Sequence, residues 1–295
     1  MGVDAPAASV TRPPSGGRTC SRPRVGLVLG AGGARGLAHV GALKVLHSRQ
    51  TPIDLVVGVS IGSVIGAAFA AGRSPAWMER LALDLNFGRL FHPRPSRNGL
   101  VDPTALRRLV DDLVGGTRFS DLDRELVVIA SSLGHGGAVM IRDGRVADAV
   151  LASTAVPLVF PPVRYDDDYL LDGALVDGLP VAAARAAGAD IVVAVDVDNH
   201  ARRPVRAPGL GHLACQILSR SNARSSGAPS RALLLARTLD HLARPPAPHA
   251  AADVVIRPQF GPIAARHFSQ AALCVALGET AAGTVLPTLE LALAS

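Results

Sequence analysis

Residues 58–62 read GVSIG, a single serine between two glycines, with LVV before it and SVIGAAFAAG after it. A G-x-S-x-G run that ends an apolar strand and opens a helix has the layout of a nucleophile elbow. The sharp turn presents the Ser60 hydroxyl at a helix N-terminus, and Gly58 and Gly62 relieve crowding around it. Alone the pattern is weak, because small residues also pack at ordinary strand-to-helix turns. A serine nucleophile needs a base for its proton and donors for the oxyanion that forms on attack at a carbonyl. Both must be encoded elsewhere in the chain.

The donors have one strong candidate. GAGGARG, residues 30–36, also follows a strand and opens a helix. Glycines allow close backbone approach, and the first amides of a helix are unpaired and partly positive, so the stretch makes an anion hole. A dinucleotide fingerprint fits poorly, since Gly30-x-Gly32-x-x-Arg35 puts a guanidinium where the third glycine belongs. The base has several candidates. Asp172 in LLDGAL ends an apolar run and would be partly desolvated, although an aspartate there can also be an Asx-turn or an N-cap. Asp196 and Asp198 end a strand. A Ser-Asp-His order would admit His200 through His267, but His212 and His241 lie on amphipathic stretches and His267 begins the last helix.

The apolar spacing sets out the elements that must hold these groups. RVGLVL (24–29) reads as a buried strand, Gly33–Ser48 as a helix, Asp54–Val57 as a strand and Ile61–Ala71 as a helix. That order implies parallel pairing with helices on both faces of a sheet. Residues 75–115 read as two helical pieces around HPRPSRNG. LVVIASSL (126–133) and AVMIRDG (138–144) are strands joined by LGHGG, and Ala147–Ala155 is a short helix. Asp166, Asp167 and Asp168 sit at a hairpin turn and lack the ligand spacing of a calcium loop. Pro180–Gly188 is a helix, ADIVVAVDVD (189–198) and ADVVIRP are strands, and His267–Leu293 is a closing helix. The uncharged run 55–72 is long enough to cross a bilayer, but its β-branched start and its break at Gly58 favour a strand, a turn and a buried helix.

Composition narrows the class. Of 295 residues, 48% are hydrophobic, enough for a sizeable core, and only 3% are aromatic, which argues against stacking platforms for nucleic acid. The excess positive charge is local. Residues 1–24 carry four Arg against one Asp, and residues 201–250 carry eight Arg against one Asp. The three cysteines form no CxxC pair and suggest a reducing compartment, hence a cytoplasmic protein. Residues 1–23 read as a disordered basic tail, and 24–295 as a single domain with an Arg-rich helical segment at 199–250. That segment allows a peripheral membrane contact, with Leu233, Leu234, Leu235, Leu239 and Leu242 beside Arg231, Arg237 and Arg244, or simply a helix packed on the domain.

Taken together, GAGGARGLAHVGALKVL, GVSIGSVIGAAFAAG, STAVPLVFPPV and LLDGALVDGLPVAAARAAGADIVVAVD resemble the patatin-like phospholipase family, in a branch similar to bacterial members and to the catalytic domain of neuropathy target esterase. The likeness runs from about residue 24 to 198 and resumes more weakly at ADVVIRP and the closing helix. It implies a three-layer α/β/α sandwich on a mostly parallel central sheet. It also implies a Ser–Asp dyad, with Ser60 as nucleophile and Asp172 as base, supported by Gly58, Gly62, Gly173 and Ala174. The matching oxyanion loop holds Gly30, Gly32, Gly33, Ala34, Arg35 and Gly36, with amides around Gly32, Gly33 and Ala34 as donors and Arg35 orienting the loop or meeting a lipid phosphate. Val59 and Ala174 depart from residues common in the family, Thr and Gly, and neither removes a reacting group. The implied substrate is a lipid ester, with no metal or organic cofactor and no nucleic-acid partner. A general carboxylesterase and a non-catalytic lipid-binding regulator are the competing expectations.

Overall fold

A computed structural model describes residues 22–90, 93–94, 99–198, 231–243 and 251–294. Eight strands form one sheet: β1 Val25–Leu29, β2 Leu55–Val59, β3 Glu125–Ser132, β4 Ala138–Ile141, β5 Val163–Tyr165, β6 Asp168–Asp172, β7 Ile191–Val195 and β8 Val254–Ile256. Hydrogen-bonded neighbours run β5-β6-β3-β2-β1-β7-β8, with β4 also on β3. The strands β3, β2, β1, β7 and β8 run parallel, whereas β4, β5 and β6 are antiparallel to their neighbours.

The near-continuous apolar runs follow from this position. VGLVL, LVVGV and IVVAV are buried at every residue, as central parallel strands covered on both faces must be. Each fully buried Val or Leu side chain contributes about 1.5–3 kcal/mol relative to exposure. One face carries α1 Ala38–Ser48, α2 Ile61–Ala70, α3 Pro75–Asp84, α4 Thr104–Val114 and α5 Val146–Ser153. The opposite face carries the short α6 Val181–Ala186. The helix α7, Arg231–Ala243, sits against β6 and the turn after β3, with Leu234 packed on Leu133 and Leu171.

The long α8, Ala271–Ala294, belongs to the crowded face. It crosses α1 so closely that a Cβ at Gly278 would lie 2.0 Å from the Ala38 carbonyl oxygen. With the 3₁₀ turn before it, Phe268–Ala294 is long and apolar enough to cross a membrane, and one third of its most apolar window is buried in the protein. The uncharged run 55–72 is β2, a turn and α2, as its sequence suggested.

Several boundaries differ from the sequence reading. Gly33–Leu37 is a 3₁₀ turn, and α1 begins only at Ala38. The hairpin at the acidic triplet is β5 and β6 around Asp166, whose φ is 49°. Asp168 ties that hairpin to the neighbouring turn by accepting from the Gly134 amide at 3.0 Å and from the Ser132 hydroxyl. The expectation for residues 1–21 and most of 199–250 lies outside the described residues. Arg22 pairs with Asp54 at 2.6 Å. Within α7, Leu234 is fully buried, and Arg237 donates to the carbonyls of Leu133 and Gly134. The centre of that amphipathic stretch therefore faces the protein, which is the packed-helix reading.

Candidate active site

Ser60 sits between the end of β2 and the first residue of α2, at φ 54° and ψ −127°. A non-glycine residue there costs about 1–3 kcal/mol and persists only where its surroundings enforce it. They do so with neutral hydrogen bonds. The Ser60 amide donates to Ser153 Oγ at 2.8 Å, and Ser153 Oγ donates on to the Ile129 carbonyl at 2.6 Å. The Ser60 carbonyl accepts from Ser63 Oγ at 2.6 Å and from the Ser63 amide at 2.9 Å. Gly62 has no alternative, since a Cβ would stand 2.1 Å from the Leu29 carbonyl oxygen. Gly36, Gly58 and Gly173 are packed as tightly, against Ile61, Ser63 and Ile129.

The register of the sheet brings Asp172 to Ser60. Along one edge of β3, β2 pairs as far as Val59 opposite Ile129. The next β3 residue, Ala130, is paired with Asp172 of β6. The other edge at these positions belongs to β4. As the elbow turns the chain away at Ser60, β6 enters the vacated lane from the opposite direction and ends on Asp172. Ser60 Oγ donates to Asp172 Oδ2 at 2.7 Å, while Asp172 Oδ1 accepts from the Ala174 amide at 2.8 Å. One carboxylate thus caps the following turn and faces the serine, so the capping and base readings of Asp172 are compatible. Asp172 is 4% exposed. Burial pushes its pKa up to about 6, against the opposing pull of the Ala174 and Ser60 hydrogen bonds.

Across from the elbow, Gly30–Gly36 leaves the end of β1. Four of its amides are already satisfied: Gly30 by Val195, Ala31 by Gly178, Ala34 by the Ala265 carbonyl at 2.7 Å, and Arg35 by Gly32. The Ala34 amide is therefore not a free donor, which corrects that expectation. Gly32 and Gly33 donate to no acceptor among the described residues, and Gly33 lines the same cavity as Ser60. Gly33 has φ +56°, and a Cβ there would lie 2.4 Å from the Ala265 carbonyl oxygen.

Arg35 turns away from the cavity. It is 8% exposed, ion-paired with Asp198 and stacked over the Phe260 ring at 5.9 Å. Of its two expected roles, orienting the loop fits this position and meeting a lipid phosphate does not. Beneath the loop, His39 is fully buried and its Nε2 donates to the Gly30 carbonyl at 2.8 Å. Burial lowers its pKa to about 4, so it is neutral.

The rival bases are engaged elsewhere. Asp198 holds Arg35, and Asp196 pairs with Arg257 at 3.3 Å. Among the described residues no histidine bonds to Ser60, and His267 accepts from the Ala264 amide. His200, His212 and His249 lie outside them. Two supports escaped the sequence reading, Ser153 and His39. Ser153 opens the quoted STAVPLVFPPV, which was the available signal, but nothing in a helix ending VLAS marks its hydroxyl as a prop for a distant turn.

Ser60 opens into a cavity of about 180 Å³ whose walls are almost entirely apolar. Leu37, Val40, Ile65, Met78, Leu109 and Phe160 represent its lining, with Thr154 the one other polar side chain beside Ser60 among the described residues. Such a space suits a hydrocarbon chain.

A family model described as patatin-like phospholipase matches residues 27–185, from within β1 to within α6. The chain belongs to the patatin-like phospholipase family. An uncharacterized NTE family protein of Mycobacterium bovis is 34% identical over 192 residues, covering 64% of this chain and 53% of that protein. Lysophospholipase NTE1 of Coccidioides immitis is 34% identical over 194 residues, covering 61% of this chain and 12% of that protein. The match spans about half the length of the mycobacterial relative and a small part of the fungal one. The crystal structure of VipD from Legionella pneumophila aligns with TM-score 0.49 at 14% identity, covering 92% of this chain and 67% of that one.

Proposed function

We propose that the protein is a serine acyl-hydrolase that cleaves carboxylic ester bonds of lipids, phospholipids or lysophospholipids, through a Ser60–Asp172 dyad. The observation that carries this reading is the 2.7 Å hydrogen bond from Ser60 Oγ to a buried carboxylate at the opening of an apolar cavity. Ser60 Oγ attacks the ester carbonyl and its proton passes to Asp172. The amides of Gly32 and Gly33 receive the oxyanion, each well-placed donor contributing roughly 3 kcal/mol. The intermediate collapses, Asp172 returns the proton to the leaving alcohol, and the acyl group remains on Ser60. Water then attacks with Asp172 as base, releasing the fatty acid and restoring the serine. A carboxylate is a weak base toward an alcohol, and burial partly compensates by raising its basicity. The family description and the fungal relative's name, lysophospholipase, support the lipid assignment.

Fluorophosphonate labelling with peptide mapping tests the chemistry, and lysophosphatidylcholine hydrolysis tests the substrate. The expected adduct is on Ser60, absent in Ser60→Ala and much slower in Asp172→Asn. Labelling with turnover of short-chain esters only would make the protein a general carboxylesterase. Lipid binding without labelling would make it a non-catalytic lipid-binding protein.

A further inference from the structure

The apolar cavity in front of Ser60 has a direction. On α2 its lining is Ile61, Val64, Ile65 and Ala68, one stripe of a helix that starts at Ser60. Four residues link α2 to α3, a connection short enough to return α3 beside it. Arg73 in that link donates to the Leu113 carbonyl at 2.8 Å and to the Asp112 carbonyl at 3.2 Å, and its guanidinium lies 5.0 Å over the Trp77 ring. The end of α2, the start of α3 and the end of α4 are thereby stitched together. Ala68, Met78 and Leu113, which all line the cavity, share the end remote from Ser60.

Burial follows the same direction on all three helices. Ile61 and Val64 on α2, Leu85 after α3, and Leu106 and Leu109 on α4 are half-buried. Ala68, Met78 and Leu113 are buried. The cavity is therefore open beside the serine and blind at Ala68. From Ser60 to Ala68 the helix rises about 12 Å, at 1.5 Å per residue. A staggered hydrocarbon chain of ~1.5 Å bonds advances roughly 1.3 Å per carbon, so about nine carbons span that depth. The volume agrees: an apolar cavity of about 150 Å³ holds benzene, so one of 180 Å³ holds about seven carbons.

We infer that this blind cavity measures the acyl chain of the substrate, taking a linear group of about eight carbons, with Ala68 the stop at its methyl end and Met78 and Leu113 the walls beside that stop. A shorter chain leaves apolar wall unfilled and forfeits about fourfold in affinity per methylene. A longer one meets packed side chains and the Arg73 cross-link, so its extra carbons gain nothing. The inference rests on the lipid-hydrolase reading for the ester that is cut. The reach of the cavity stands apart from that reading.

The test uses the full chain and two series of probes. The first is kcat/KM on p-nitrophenyl esters of about four to sixteen carbons, kept below the concentrations at which they aggregate. The second is titration calorimetry of linear primary alcohols with the Ser60→Ala variant, which needs no turnover. In both series the value should climb about fourfold per methylene and then break near eight carbons. Ala68→Leu, whose added atoms enter the cavity, should move the break about two carbons shorter and lower the ratio of eight-carbon to four-carbon ester turnover on the order of tenfold. Met78→Ala should move it longer, and it decides the matter if Ala68→Leu fails to fold. A wild-type break beyond about twelve carbons, or a break that neither variant moves, overturns the proposal. Alcohol binding that breaks and shifts as expected, without turnover of any ester, leaves the measure standing and removes the hydrolase reading instead.

Discussion

The elbow and the glycine loop face each other across the cavity, yet they are held by different physics. Ser60 is fixed from the side by uncharged partners, Ser153 and Ser63, and by glycine contacts that leave no slack. The Gly30–Gly36 loop is fixed from beneath by the Arg35–Asp198 ion pair and by neutral His39 on the Gly30 carbonyl. Neutral hydrogen bonds hold a geometry with little dependence on pH or salt. A partly buried ion pair and a buried imidazole make the second region sensitive to both. The Ser60 backbone is thus held on the insensitive side, although its hydroxyl faces the titrating Asp172, and the glycine loop is on the sensitive one.

Asp172→Asn should have the largest effect. It removes the base and lowers kcat on the order of 10³-fold. It also removes a buried carboxylate whose folded pKa is raised, a group whose stabilising contribution is complete below the unfolded value near 4 and is lost as pH rises through about 6. At pH 8 the variant should therefore be more stable than wild type by roughly 2 kcal/mol, read as a higher urea midpoint. In wild type, the same pKa makes kcat/KM fall about tenfold per unit below pH 6, measured on a soluble ester.

Ser153→Ala addresses the elbow alone. It leaves the Ser60 amide and the Ile129 carbonyl unpaired, at about 1–3 kcal/mol, and should lower kcat about 10- to 100-fold with KM little changed. Arg35→Ala addresses the loop. It removes the guanidinium paired with Asp198 and should destabilise the protein by about 2 kcal/mol, a fall in Tm of about 5 °C, with a smaller loss of kcat than Ser153→Ala. Equal effects of the two variants on kcat and on Tm would erase the contrast.

The smallest effect is acid sensitivity at His39. Its folded pKa is depressed, so the stability it contributes is present above 6.5 and is lost as pH falls toward about 4. His39→Gln keeps a donor for the Gly30 carbonyl without the titration. The wild-type urea midpoint should therefore drop more than the variant's between pH 7 and 4.5.

Ser60 and Asp172 were legible because each stands at the end of an apolar run beside glycine, where pattern and chemistry coincide. The central strands were legible for the same reason. The loop was readable only in outline: which amides stay free depends on Ala265, more than two hundred residues away, whose carbonyl takes the Ala34 donor. Arg35 could be read as orienting the loop or as meeting a phosphate because sequence shows a charge and not its partner, and Asp198 is a partner. Ser153 and His39 act through single hydrogen bonds to backbone, which leave no periodicity to read.

The shared edge of β3 has a consequence in time. Ser60 and Asp172 are 112 residues apart in sequence, and they meet only when β6 fills the lane that β2 leaves open. Contacts of such long sequence separation are costly to close and tend to form late. During refolding, the reactivity of Ser60 toward a chemical probe would record the arrival of β6.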